Sequence, residues 1–368
     1  MQGSDFAGRL AAVAARARTA DVDAVLVTPG PDLQYLVGYE AVPLERLTCL
    51  VVPAEDPAFL VVPRLELLAA QASPVTVLGL TLHPWTEGED PYALVASHLP
   101  SAARVAVDDH MWASKVLHLR DAMPGVEQVL AGASIADLRM RKDPSEVEAL
   151  LRAGAAIDRV HALVPSILGA GRTERDVGAD ISAAILEAGH VRVDFVIVAS
   201  GPNGASPHHE VSDRVIEKGD VVVVDIGGTM PDGYRSDCTR TYVVGDPPEG
   251  FASAFAALME AQAAAVAHAA PGVSCESVDA AARDILTSAG LGDHFIHRTG
   301  HGIGLETHED PYIVSGNALT LEPGMAFSIE PGFYVEGRYG ARIEDIVITS
   351  VDGLVVANRQ PRDLVVIP

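Results

Sequence analysis

Hydrophobic and polar positions change rhythm along this chain. Between Asp23 and Asp109 short apolar runs recur, bounded by Pro, Gly or Asp: DAVLVTP, LTCLVVP, AFLVVP and RVAVDD. Runs of this length predict buried strands, and the helical stretches between them make residues 1–139 an α/β domain. Ahead of the strands, MQGSDFAGRLAAVAARARTA reads as an amphipathic helix, because Arg9, Arg16 and Arg18 interrupt its apolar positions. Near residue 140 the spacing becomes helical. Asp143-Pro144 is a helix start, with Glu146 and Glu148 placed for the first turn. The boundary therefore falls near 140, leaving 140–368 as the second domain.

The second domain carries an internal repeat. GRTERDVGADISAAILEAG (171–189) aligns without a gap on GVSCESVDAAARDILTSAG (272–290). Thr173 and Ser274 fall at matching N-cap positions, and Gly189 and Gly290 at matching helix ends. Each copy follows a longer apolar helix (144–168 and 251–270) and precedes a strand leading to histidines, in DFVIVASGPNGASPHHE and HFIHRTGHGIG. Two matched helix–helix–strand halves predict a pseudo-symmetric domain with a site between them. Strands then dominate, in DVVVVDIGGTM, SDCTRTYVVG, GMAFSIEPGFYV and RIEDIVIT.

Composition narrows the chemistry. Lys+Arg 26 against Asp+Glu 50 gives a formal net charge of −24, which repels phosphate backbones and excludes nucleic acid as an expected partner. No run approaches the ~20 apolar residues of a membrane span. Cys49, Cys238 and Cys275 are scattered and form no CxxC pair. They read as small buried hydrophobes in a reducing compartment, the cytoplasm.

Five residues stand out: Asp225, Asp237, His301, Glu330 and Glu344, in VVVVDIGG, YRSDCTRTY, RTGHGIGLETHE, FSIEPG and ARIEDIVI. Each is bland alone, since an Asp after a buried strand is ordinarily a turn or cap residue. Gly227-Gly228 would turn the chain sharply and return Asp237 beside Asp225. The small neighbours of His301 would permit close approach of another group. Together, four carboxylates could not share a pocket without compensating charge. Two divalent cations would balance them, and an oxygen-rich set with one nitrogen and no thiolate suits Mn²⁺, Co²⁺ or Fe²⁺. Thr239 and Thr241 are placed to hydrogen-bond the carboxylates.

These motifs, in this order, resemble the pita-bread metallopeptidases of family M24, and most closely the prolidase and aminopeptidase P group. The N-terminal α/β unit resembles the first domain of prolidases. The resemblance implies a small creatinase/prolidase-like α/β domain followed by a pseudo-symmetric pita-bread domain, α/β (α+β) in class. It implies two divalent ions per chain, Mn²⁺ first and Co²⁺, Fe²⁺ or Zn²⁺ as alternatives. Asp225 and Asp237 would bind one ion. Asp237, His301, Glu330 and Glu344 would bind the other, with Asp237 and Glu344 bridging. By the same resemblance His208 in SGPNGASPHH is a catalytic histidine, His297 and His308 lie on the substrate side, and Arg342 lies near the metals. His209 carries no such motif.

The activity implied is hydrolysis of the bond before a proline at position two of a short peptide, by a homodimer. A metal-acidified water would attack the scissile carbonyl, with Glu330 accepting a proton. His308 would stabilise the oxyanion, His208 would serve the proline nitrogen, and His297 would line the proline pocket. Many prolidases carry His-Glu-x-Pro-Arg after GHGIG, whose arginine holds the dipeptide carboxylate. Here the segment is THEDPYI, with Tyr312 at that place, so Arg342 or an N-terminal residue would bind the carboxylate. Aminopeptidase P, acting on longer peptides, is the alternative enzyme. A non-catalytic peptide-binding relative is the alternative of another class, and such relatives typically lose metal ligands that this chain keeps.

Overall fold

In a computed structural model, which describes residues 5–368, the chain forms two compact units, Met1–Arg139 and Met140–Pro368. The first is built on a six-stranded mixed sheet, in the order Thr81–Trp85, Phe59–Pro63, Cys49–Pro53, Ala24–Val27, Arg104–Val107, Glu127–Leu130. The four apolar runs of the sequence are its four central strands, three of them buried along their whole length. The two edge strands, TLHPW and EQVL, are part-exposed and lack an apolar run, so the sequence pattern does not mark them. The helix Phe6–Thr19 precedes the sheet, capped by Asp5, whose side chain accepts from Gly8 N.

The second unit contains two halves of the same plan. In the first half, helices Pro144–Ile167 and Glu174–Glu187 pack on a four-stranded sheet ordered Val365–Ile367, Arg235–Val244, Val221–Thr229, Arg192–Ser200. In the second, helices Phe251–His268 and Cys275–Ser288 accompany a five-stranded sheet ordered Glu309–Ile313, Gly300–Gly302, Ala326–Ile329, Asp345–Ser350, Gly353–Val356. Each half has its own apolar core. One gathers Ile157, Val177, Ile181, Val224 and Tyr242, and the other Phe255, Leu258, Val278, Phe327 and Val347. A hairpin, Gly332–Val335 with Tyr339–Arg342, follows the strand Ala326–Ile329.

Local sequence explains these elements. Asp143 caps its helix through Ser145 N and Glu146 N, and Glu146 returns a bond to Asp143 N, a reciprocal capping box. Thr173 caps the second helix through Asp176 N. Ser274 holds the equivalent position without a side-chain cap bond, a difference between the two repeat copies. Gly189 and Gly290 follow their helices at φ +106° and +77°, where a side chain would be strained.

Two strand expectations are corrected. No strand leads to the second histidine cluster: Gly292–His294 is a 3₁₀ turn and pairing begins only at Gly300. Pro331 also divides GMAFSIEPGFYV into two strands in different sheets, because it has no N–H to continue a ladder. All three cysteines are free and buried. Among the described residues no helix is long and apolar enough to cross a membrane.

Candidate metal centre

Strand alternation aims the first two acids. In Val221–Thr229 the side chains of Val222, Val224 and Ile226 join the helix-packed core, so Asp225 and Gly227 face the other way. In the partner strand Cys238, Tyr242 and Val244 join that core, leaving Asp237, Thr239 and Thr241 on the Asp225 side. The register sets Asp225 opposite Thr239 and Gly227 opposite Asp237. Gly227 and Gly228 therefore do not turn the chain, as their sequence suggests. They stay in the strand, where a Cβ on Gly227 would come within 2.4 Å of the Phe195 ring.

The opposite wall comes from the second half. His301 lies in Gly300–Gly302, and a Cβ on Gly300 would sit 1.9 Å from Ser328 O. Only glycine lets the two strands approach so closely. His301 Nδ1 donates to Gly302 O at 3.1 Å, which leaves the Nε2 lone pair for a ligand. That atom is 3.8 Å from Asp237 Oδ2 and 3.2 Å from Glu330 Oε1. Glu344 follows the hairpin; its backbone N–H donates to Thr239 O and its Oε2 accepts from Thr239 Oγ1 at 2.7 Å. Thr241 serves differently from the expectation, bonding the backbone of Arg342 rather than a carboxylate.

Asp237, His301 and Glu344 each present a donor atom within 4.8 Å of the others, and all three are buried. Glu330 joins through His301. Asp225 joins through Arg342, whose guanidinium donates to Asp225 Oδ2 and lies 4.0 Å from Glu330 Oε2. Burial raises the pKa of Asp237 well above the carboxylate range, and the charges of Glu344, Asp225 and Glu330 add to it. Burial does the same at Glu344, followed by Glu330 and Asp225. One buried Oδ1 of Asp225 has no hydrogen-bond partner. A buried acceptor without a donor, and four carboxylates against one guanidinium, fit a divalent-cation site.

The sequence-marked histidines divide. His297 Nδ1 donates to Arg298 O at 2.7 Å, so its Nε2 accepts from Tyr334 Oη at 2.8 Å. Tyr334 in turn accepts from Arg342 at 2.7 Å. Both ring nitrogens of His297 are thus engaged, and the chain His297–Tyr334–Arg342–Asp225 ties it to the acids. His308 has its ring centroid 4.0 Å from that of His301 and keeps one side open to solvent. Desolvation, then the charges of His301, Arg298 and, more weakly, His208, lower its pKa. His208 is exposed, and its ring makes no hydrogen bond among the described residues. The preceding carbonyl, Pro207 O, lies 3.4 Å from the Arg342 guanidinium. His209 instead binds the buried Glu174 at 2.8 Å.

Three residues were not marked in the sequence. Tyr334 reads there as an ordinary strand aromatic. Ser328 orients Glu330 by donating to its Oε1 at 2.9 Å. Arg298, inside RTGHG, places its guanidinium 4.4 Å from the Tyr312 ring centroid. Arg342 is committed to Asp225, Tyr334 and Thr239, whereas among the described residues the Arg298 guanidinium pairs with no carboxylate.

Residues 148–350 match the model of metallopeptidase family M24, and residues 9–141 match the creatinase/prolidase N-terminal domain. The chain belongs to metallopeptidase family M24. The M24 enzyme is 53% identical to the dipeptidase PepE of Mycobacterium ulcerans, whose crystal structure superposes with a TM-score of 0.96 over 100% of this chain and 99% of that one. Its similarity to a prolidase from Thermococcus sibiricus is 36% identity and a TM-score of 0.92, covering 98% and 99%. A Xaa-Pro dipeptidase of Lactobacillus helveticus is 36% identical over 91% of this chain and 92% of that protein. The creatinase-type first unit and the two-halved catalytic unit are thus those of this metallopeptidase family. Membership implies divalent metal ions, and the Asp237–His301–Glu344 group offers them donors.

Proposed function

We propose that this metallopeptidase is a Xaa-Pro dipeptidase, with residues 140–368 carrying the chemistry and 1–139 forming the accessory domain. Asp225 and Asp237 would hold one divalent ion, and Asp237, His301, Glu330 and Glu344 the other, with Mn²⁺ the expected metal. Ions bound there would supply Lewis acidity and a water acidified toward about 7. The residues do the rest. Glu330, oriented by Ser328, accepts a proton. His308, beside His301, donates to the oxyanion that develops on the scissile carbonyl. A prolyl nitrogen carries no hydrogen and must gain one to leave, and His208, free of other bonds, is the group to serve it. His297 and Tyr334 hold Arg342 against Asp225.

The observation that carries the dipeptidase reading is Arg298. Its guanidinium is stacked on Tyr312, lies near enough to His308 for its charge to lower that ring's pKa, and has no acidic partner among the described residues. A cation held in that way suits the free carboxylate of a two-residue substrate, which in a longer peptide lies one residue further on. Tyr312 thus supports a displaced arginine instead of marking a missing one. Hydrolysis of Ala-Pro compared with Ala-Pro-Ala, with and without Mn²⁺, tests the reading. Cleavage of the tripeptide alone would reject it in favour of aminopeptidase P. We further propose a cytoplasmic homodimer, which sizing chromatography at several concentrations tests; a persistent monomer would reject it.

A further inference from the structure

Glu174 is buried without exposure in the first turn of helix Glu174–Glu187, and among the described residues no lysine or arginine forms an ion pair with it. Its donors come instead from one loop. Oε1 accepts from Ser200 N at 2.8 Å, Ser200 Oγ at 2.7 Å and Asn203 Nδ2 at 3.1 Å. Oε2 accepts from His209 Nε2 at 2.8 Å, Ser212 Oγ at 2.6 Å, Ser212 N at 3.2 Å and again from Asn203. Ser200 and Asn203 open the loop, and His209 and Ser212 close it. Between them lie Gly204, which packs on Gly340, Pro207 over Arg342, and His208. Burial raises the Glu174 pKa, but this set of donors outweighs it and holds the carboxylate ionised. An ionised carboxylate without such bonds would be costly to bury. The charge and the loop conformation therefore require each other.

The other half has a comparable device at a different place in its repeat copy, where Cys275 aligns with Glu174. Asp279, buried in helix Cys275–Ser288, accepts from Thr299 Oγ1 at 2.7 Å and Thr299 N at 3.1 Å. It also pairs with Arg283, whose guanidinium donates to Phe295 O and His297 O. In each half, one carboxylate of the second helix fixes the segment that carries site histidines.

We propose that Glu174 is a positioning residue for hydrolysis, acting through His208 by fixing the loop 200–212, with Asp279 as its counterpart for 295–301. The inference rests on the role given to His208 above. It is tested with Glu174→Gln, His208→Ala and the double variant in the metal-loaded enzyme, with hydrogen exchange of the 200–212 segment as a readout independent of activity. Glutamine keeps the shape but turns an NH₂ toward donors. A slight misplacement of a reacting group costs roughly 10–100-fold in kcat. Glu174→Gln is expected to lose about that factor with KM and metal content little changed. It is expected to lose less than about twofold when His208 is already absent. Exchange should quicken across 200–212 and stay unchanged in Val221–Thr229. Ser212→Ala, a milder change, should show the same pattern at roughly one third to one tenth of the effect, which keeps the test open if Glu174→Gln does not fold. Unchanged exchange, or equal losses with and without His208, would overturn the proposal alone. A silent His208→Ala would overturn it together with the role of His208.

Discussion

If Arg298 reads the substrate carboxylate as proposed, replacing it with leucine should leave a peptidase indifferent to the substrate C-terminus. The guanidinium is half-buried, stacked at 4.4 Å on Tyr312 and unpaired with any acid among the described residues. Its loss therefore leaves no protein charge stranded, and folding stability should fall by no more than about 1 kcal/mol, the worth of the stack on Tyr312. Binding is affected instead. A hydrogen bond to a charged group contributes about 1.5–3 kcal/mol, which corresponds to roughly 10- to 150-fold in kcat/KM. Arg298→Lys should recover only part, because an ammonium can neither present a planar fork nor stack as a plane. Tyr312→Leu should cost less, about 0.5–1 kcal/mol, through the lost stack alone. The assay is kcat/KM on Ala-Pro and on its C-terminal amide, with metal content measured in parallel. Arg298→Leu should cut the acid-to-amide preference by the factor above while sparing the amide. Equal losses on both substrates, or no loss on either, would refute the assignment of Arg298 to the carboxylate.

Further expectations concern the acids and the core. Because burial and then neighbouring carboxylates raise the Asp237 pKa, the metal-free fold loses stability as pH rises above the ordinary carboxylate range. Asp237→Asn should therefore raise Tm in chelator at pH 7 and lower it relative to wild type in Mn²⁺; thermal melts in both buffers check the reversal. His161, buried against Cys238 O and Tyr242, has its pKa lowered to about 3 by desolvation, then by Arg240. The unfolded chain takes up that proton first. The stability contributed above pH ~6.5 is therefore lost as pH falls toward 3, at about 1.4 kcal/mol per pH unit. Urea midpoints and an NMR titration of the His161 ring check this, and a ring that titrates near 6.5 in the folded protein would contradict it.

The sequence revealed the acids because their context is periodic. Asp225 after a valine run and Asp237 two places before Thr239 fall on one face by simple strand alternation. The helix ends were equally legible, since Asp143, Thr173, Gly189 and Gly290 act within a few residues of themselves. What escaped notice depends on distant chain. Gly227 looks like a turn until the Phe195 ring is seen against it. Glu174 reads as a first-turn acid on a helix, and its burial is set by donors 26 to 38 residues away. Tyr334 has no local signature, because its worth lies in joining His297 to Arg342. Arg298 lies inside the RTGHG motif but has no local signature, because what distinguishes it is the Tyr312 ring beneath its guanidinium.

The most direct test is to strip the protein with chelator and titrate it with Mn²⁺ while following Ala-Pro hydrolysis and bound metal together. Activity should be absent in the stripped protein and should rise to a plateau near two bound ions per chain, with Glu344→Ala failing both to bind and to cleave. Hydrolysis that persists without metal, or a fully loaded protein inert toward Ala-Pro, would contradict the account.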